Sequence, residues 1–169
     1  KINKRYIHKM NELRDCFITA IKDEKKGKKH KGLFITQPNK NVAEEYLVKA
    51  KMNLELCDLF KIKEFYYKIP EEWFYTLYYC ALAILAKFGV ESRSQKCTAV
   101  FLKYVKDKGL IEYDNEFIER IIVHRSKEEK SDVDERETAR YSSSIKSQEV
   151  ESKYEFMTNL CKKAISQSN

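Results

Sequence analysis

The chain is short of the residues that β-rich and membrane-embedded proteins need. Of its 169 residues only 4 are Gly and 2 are Pro, too few turn-formers for a sandwich or barrel of many short strands. No apolar run reaches the roughly 18 residues that span a bilayer. No charged-then-apolar-then-small pattern marks a secretory signal. The five cysteines (Cys16, Cys57, Cys80, Cys97 and Cys161) form no C-x-x-C pair, which argues against structural zinc. Most fall among apolar helix positions and read as buried free thiols in a reducing cytoplasm. No metal, cofactor or membrane partner is expected.

Helical patterning takes the place of those signals. At 43% hydrophobic residues, a single domain covering 1–169 can bury a core. The periodicity predicts a first helix over about 4–22, with Tyr6, Met10, Leu13, Phe17 and Ala20/Ile21 as its apolar stripe. "GLFITQPN" is an extended lead-in, because Pro38 disfavours helix just before it. Asn41 with Glu44 forms a capping box for a helix over about 42–61. "PEEWFYTLYYCALAILAKFG" (70–89) opens with Pro70, Glu71 and Glu72 and stops at Gly89. It is apolar nearly all round, as the central helix of a bundle should be. Ser92 with Gln95 caps a helix over about 94–108, ended by Gly109, and Asp114 caps another through about 126. From 127 to 147 the apolar pattern nearly vanishes, then returns over 148–166 through Val150, Tyr154, Met157, Cys161 and Ala164. With no convincing strand pairs, the fold expected is all-α, an antiparallel up-and-down bundle of about six helices.

A net charge of +7 leans towards an anionic partner. Much of the excess is "KDEKKGKKHKG" (22–32), six lysines and His30 against two acids. Gly27 and Gly32 favour a flexible, soluble connector, although such a tract can also follow a phosphate backbone. Tyr75, Tyr78 and Tyr79 read as packed tyrosines of the central helix, or as rings on which bases could stack. The wealth of Lys, Glu and Ile suits a heat-adapted source.

The order of "WFYTLYYCALAILAKFGV" (73–90), "ESRSQKCTAVFLKYV" (91–105) and "RETARY" (136–141) resembles the HEPN domain family of prokaryotes. It is similar in particular to the archaeal stand-alone branch, and "GLFITQPNKNVAEEYLVKAKMNLELCDLF" (32–60) fits that branch too. The resemblance covers residues 32–165, leaving 1–31 as an N-terminal helix plus the lysine-rich connector. It implies a helical bundle, often a homodimer, that binds or acts on RNA or nucleotides beside a nucleotidyltransferase, as a toxin–antitoxin pair. Active members are metal-independent ribonucleases carrying an arginine, then four to six intervening residues, then a histidine. The arginine holds the scissile phosphate and the histidine moves the proton.

Here the residue five after Arg136 is Tyr141, a poor base at neutral pH. The nearest histidine, His124, lies upstream, with three residues between it and Arg120, one fewer than the motif requires. Two proton carriers, Tyr141 and His124, therefore stand open beside Arg136 for an endoribonuclease. For a binding module the candidates are Arg136, Arg140 and Tyr141, with Arg120 and Arg125 joining them if one basic groove forms. Tyr141 also matches the tyrosine on which some family members accept a nucleotide. Against these readings, Asp132, Arg136 and Arg140 at i, i+4 spacing would form surface ion pairs on a solvated helix. Arg120, His124 and Arg125 would then be the polar edge of a helix that buries Ile121 and Ile122. A helical scaffold without any nucleic-acid role is the third class.

Overall fold

The computed structural model describes residues 4–122, Arg136 and 147–169; side-chain surroundings are described from His8 onward, Lys9 excepted. Its described helices are α1 (Lys4–Lys25), α2 (Lys40–Ile62), α3 (Ile69–Lys87), α4 (Gln95–Asp107), α5 (Asn115–Arg120) and α6 (Ser147–Gln167). A short 3-10 turn, Tyr66–Lys68, links α2 to α3. The all-α bundle expected from periodicity is the fold observed.

Helix α3 is its axis. Thirteen of its 19 residues are buried, so it must be surrounded rather than laid on a surface. α2 packs against it with Ala43, Leu47, Ala50, Leu54 and Cys57; the two alanines let the helix backbones approach. The Thr76 hydroxyl donates to the Glu72 carbonyl at 2.8 Å and lies 3.3 Å from that of Ala50. It thereby fastens one helix to the other without leaving a buried polar group unmet. α6 runs beside α3 in the same direction. Tyr154 near its start meets Trp73 with ring centroids 6.1 Å apart, and near its end the Ser168 carbonyl accepts from Lys87 Nζ at 2.9 Å. Trp73, Phe74, Leu77, Leu85, Leu102, Phe117, Ile118 and Met157 are the large side chains at the centre.

Several local expectations are corrected. The lead-in is a strand: β1 (Leu33–Ile35) pairs antiparallel with β2 (Val90–Ser92), Phe34 opposite Glu91. At three residues each, these strands are too short for an alternating pattern to reveal them. Gly89 shapes the ribbon. Its φ is +70°, and a Cβ there would meet Thr36 O at 2.7 Å and Pro38 N at 2.8 Å. The cap of α2 is Asn39, whose side chain accepts from Val42 N at 3.1 Å, two residues before the expected Asn41. The cap of α4 is Ser94, accepting from Cys97 N at 3.2 Å, while Ser92 accepts from the Thr98 hydroxyl at 2.7 Å. Asp114 stands before α5 but spends its carboxylate on Lys163 at 2.6 Å and Gln167 at 3.1 Å. Met10 and Ile21 of the expected α1 stripe are exposed, whereas Leu13, Cys16 and Ala20 are buried.

The lysine-rich segment is an ordered turn. Asp23 Oδ2 accepts from Lys31 N at 2.9 Å, and His30 is buried with Nε2 3.3 Å from Glu91 Oε1. The lysines themselves remain exposed. Next to it, Gly32 presses so closely on α1 that a Cβ would lie 2.1 Å from Cys16 O.

That contact bears on the largest correction. Cys16 and Cys97 are joined in a disulfide, Cα atoms 5.7 Å apart, while Cys57, Cys80 and Cys161 are the buried free thiols. Eighty-one residues separate the pair, so proximity in the fold, invisible in spacing, decides it. Closing so long a loop restricts the unfolded chain by about 4.5 kcal/mol in the chain-entropy description. Thiol titration of the denatured, unreduced protein is therefore expected to count three thiols, rising to five after reduction. Cys16→Ser with Cys97→Ser lowers the melting temperature; five thiols without reductant would contradict the assignment.

Candidate functional site: an aromatic and basic face on the central helix

The aromatic residues of α3 recur at helical spacing, so they form rows. Phe74 and Tyr78, four apart, stack with centroids 5.6 Å apart, as do Tyr75 and Tyr79 at 6.0 Å. Phe74 meets Tyr75 edge-on at 5.2 Å. α2 extends the row: Tyr46 stacks on Tyr79 at 6.0 Å. Lys49, one turn from Tyr46, holds Nζ 5.7 Å from the Tyr46 centroid and 5.8 Å from that of Tyr79. Tyr46, Tyr75, Tyr78 and Tyr79 are all half-buried. They therefore pack, as expected of a central helix, yet keep part of each ring at the surface.

At the other end of the row lies Arg136. Its guanidinium carbon is 4.4 Å from the Phe74 centroid and 5.6 Å from that of Tyr75. The residue is half-buried. The expectation of a solvated arginine on a polar helix is thus corrected. A cation on a ring face gains about 1 kcal/mol, and a planar, weakly hydrated guanidinium suits that position better than an ammonium would. A guanidinium carries N–H donors and no acceptor, the chemical complement of a phosphate or carboxylate.

Three of the phenols, Tyr46, Tyr78 and Tyr79, hold their protons above the ordinary tyrosine range. Burial raises Tyr46, with Glu91 adding to the effect. Tyr79 is raised by burial and then by Tyr75 and Glu72. Burial also raises Tyr78, the nearby Thr98 hydroxyl partly offsetting it. These rings therefore offer π-faces and hydroxyl hydrogen bonds, with no proton acceptor at neutral pH.

The other sequence candidates divide. Arg120 is paired within α5, its Nη2 2.8 Å from Glu116 Oε1, and lies over the exposed Phe156 ring of α6 at 5.7 Å. Like Arg136 it is half-buried, with Ile121 buried and Ile122 half-buried alongside. Arg120 and Arg136 thus rest on different aromatic side chains of different helices. His124, Arg125, Asp132, Arg140 and Tyr141 lie outside the described residues. Among the described residues, no group of three or more His, Cys, Asp or Glu side chains is placed to hold a metal ion. The contributors that sequence reasoning missed are Tyr46 and Lys49. Their i, i+3 spacing at the edge of α2 was visible, but not that this edge abuts Tyr79.

Comparison with protein-family models, with curated proteins and with solved structures finds no match.

Glu72 borders the row on α3. Asn53 Nδ2 donates to its Oε2 at 2.6 Å. Burial is the main cause of its raised pKa, Glu71 adds to it, and Asn53 and Lys68 work the other way. The folded protein therefore keeps this proton to higher pH than the unfolded chain. Its contribution to stability is full below the ordinary glutamate value and is lost as pH rises through the raised one. Glu72→Gln, which retains an acceptor for Asn53, is expected to melt higher than the wild type at neutral pH and to converge with it near about pH 4. Thermal melts across that range check the sign; a constant offset at every pH would contradict it.

Proposed function

We infer that the protein is a HEPN-like module that binds single-stranded RNA or a nucleotide. The observation that carries this reading is the row Tyr46–Tyr79–Tyr75–Phe74, with Lys49 at one end and Arg136 at the other. The half-exposed rings of Tyr46, Tyr79 and Tyr75 accept bases of any sequence, Phe74 being buried beneath Arg136, and flanking cations meet the phosphates between them. Arg136 belongs to the segment on which the family resemblance rests, and Arg140 and Tyr141 follow it in sequence. The net charge of +7 acts in the same direction. A homodimer, a nucleotidyltransferase partner of toxin–antitoxin type and a cytoplasmic location belong to the same reading. No described helix is long and apolar enough to cross a membrane. The disulfide is compatible with a cytoplasm in heat-adapted organisms, whose intracellular proteins carry such bonds.

Fluorescence anisotropy with a labelled single-stranded RNA, EDTA present, tests the inference. Binding should weaken steeply with salt. Tyr79→Ala should cost about 1–3 kcal/mol of affinity, and Lys49→Ala should reduce the salt slope by about one. RNA that stays free at low salt, or affinity untouched by both substitutions, would end this reading and leave the helical scaffold. Electrophoresis of the same mixtures tests the ribonuclease alternative. Cleavage in EDTA that disappears in Arg136→Ala would assign the arginine to catalysis and direct attention to Tyr141 and His124 as proton carriers.

A further inference from the structure

Helices α2 and α3 run antiparallel, so their facing residues pair in reverse order. Tyr46 meets Tyr79, Ala50 meets Thr76, and Asn53 meets Glu72. On α3 the residues Glu72, Tyr75 and Tyr79 stand at i, i+3 and i+7, one stripe of a helix with 3.6 residues per turn. The stacking row therefore ends at a carboxylate.

Glu72 and Asn53 are both half-buried. The partner described for the carboxylate is a neutral amide, Asn53 Nδ2 donating to Oε2 at 2.6 Å. Asn53 thus holds the group in place without neutralising it, as a lysine or arginine would. The negative charge is close enough to Tyr79 to help raise that phenol, and Glu71 and Lys68 act on Glu72 itself with opposite signs. Packing does not account for an acid here. A glutamine would keep an acceptor for Asn53 without taking a charge out of water. Residues that cost stability in this way collect where a protein does its work.

We propose that Glu72 selects guanine among the bases that stack on Tyr75 and Tyr79. The inference rests on the binding reading above and adds to it the identity of the base. Stacking is indifferent to sequence, whereas a charge-assisted contact through two hydrogen bonds is not. An ionised carboxylate only accepts hydrogen bonds, through two oxygens side by side. The Watson–Crick edge of guanine presents two adjacent donors, N1–H and the N2 amino group, and engages both oxygens at once. Adenine and cytosine present one amino group beside a ring-nitrogen acceptor. Uracil presents one N–H between two carbonyls. Each of these three sets an acceptor against the carboxylate, which repels it.

The test compares labelled oligouridylate with the same RNA carrying one internal guanosine, adenosine, cytidine or inosine. Fluorescence anisotropy reads their affinity for the whole chain in EDTA. The guanosine RNA should bind on the order of tenfold tighter than oligouridylate, and the adenosine and cytidine RNAs should not. Inosine, which lacks the N2 amino group, should forfeit most of the gain. Glu72→Gln exchanges one acceptor for a donor, so the guanosine RNA should fall to the affinity that oligouridylate has for the same variant. The melt of that variant, expected above the wild type's at neutral pH, shows that its fold is intact. Equal affinity for all the RNAs, a preference for another base, or a guanosine preference that survives Glu72→Gln would overturn the proposal. The stacking reading outlives any of these results if Tyr79→Ala weakens every RNA alike. RNA that stays free whatever its sequence removes both.

Discussion

Burial of α3 is the constraint on which the remaining architecture depends. A 19-residue helix with thirteen buried residues cannot sit at a surface, so α2, α4 and α6 must enclose it. Each does so with its own means. α2 brings small residues for close approach, α4 brings Phe101, Leu102 and Val105, and α6 brings Met157, Leu160 and Ala164. The hydrogen bonds at the helix ends, Lys87 to the Ser168 carbonyl and Tyr154 to Asp58, set the register of this packing more than they add to its strength. Net, each is worth about 1 kcal/mol.

The enclosure is incomplete along one row, and the half-buried tyrosines occupy it. A tyrosine tolerates that position because its ring can pack while its hydroxyl reaches water. Arg136 is drawn there for a related reason: a guanidinium loses less on leaving water than an ammonium does, and it gains the Phe74 face. The candidate site and the core are therefore one structure seen from two sides. Substitutions in the row that preserve ring packing, such as Tyr to Phe, will perturb it less than truncation.

Much of this was legible in the sequence. The all-round apolar pattern of 70–89, Pro70 at the start and Gly89 at the end located the central helix within two residues. Other features depended on contacts between distant segments, which periodicity does not encode. The ribbon needs Gly89 to receive the 33–36 backbone. The Cys16–Cys97 bond needs α1 and α4 side by side. Capping was misplaced by two residues at Asn39 and Ser94 because several cap-forming residues stand close together there, and only the backbone chooses among them. At the candidate site, Arg136 was identified as a candidate from its segment and the tyrosines from their helix. Their meeting, and the part of Lys49 and Tyr46, followed from the packing of α2 on α3.

The most direct test of the account is a nuclear magnetic resonance titration of isotope-labelled protein with a short single-stranded RNA. The aromatic face predicts that the largest shift changes fall on Lys49, Tyr75 and Tyr79, leaving the lysine-rich turn at 22–31 little affected. Changes concentrated in that turn, with the aromatic row silent, would contradict it and assign the contact to a lysine cluster that follows phosphate without stacking.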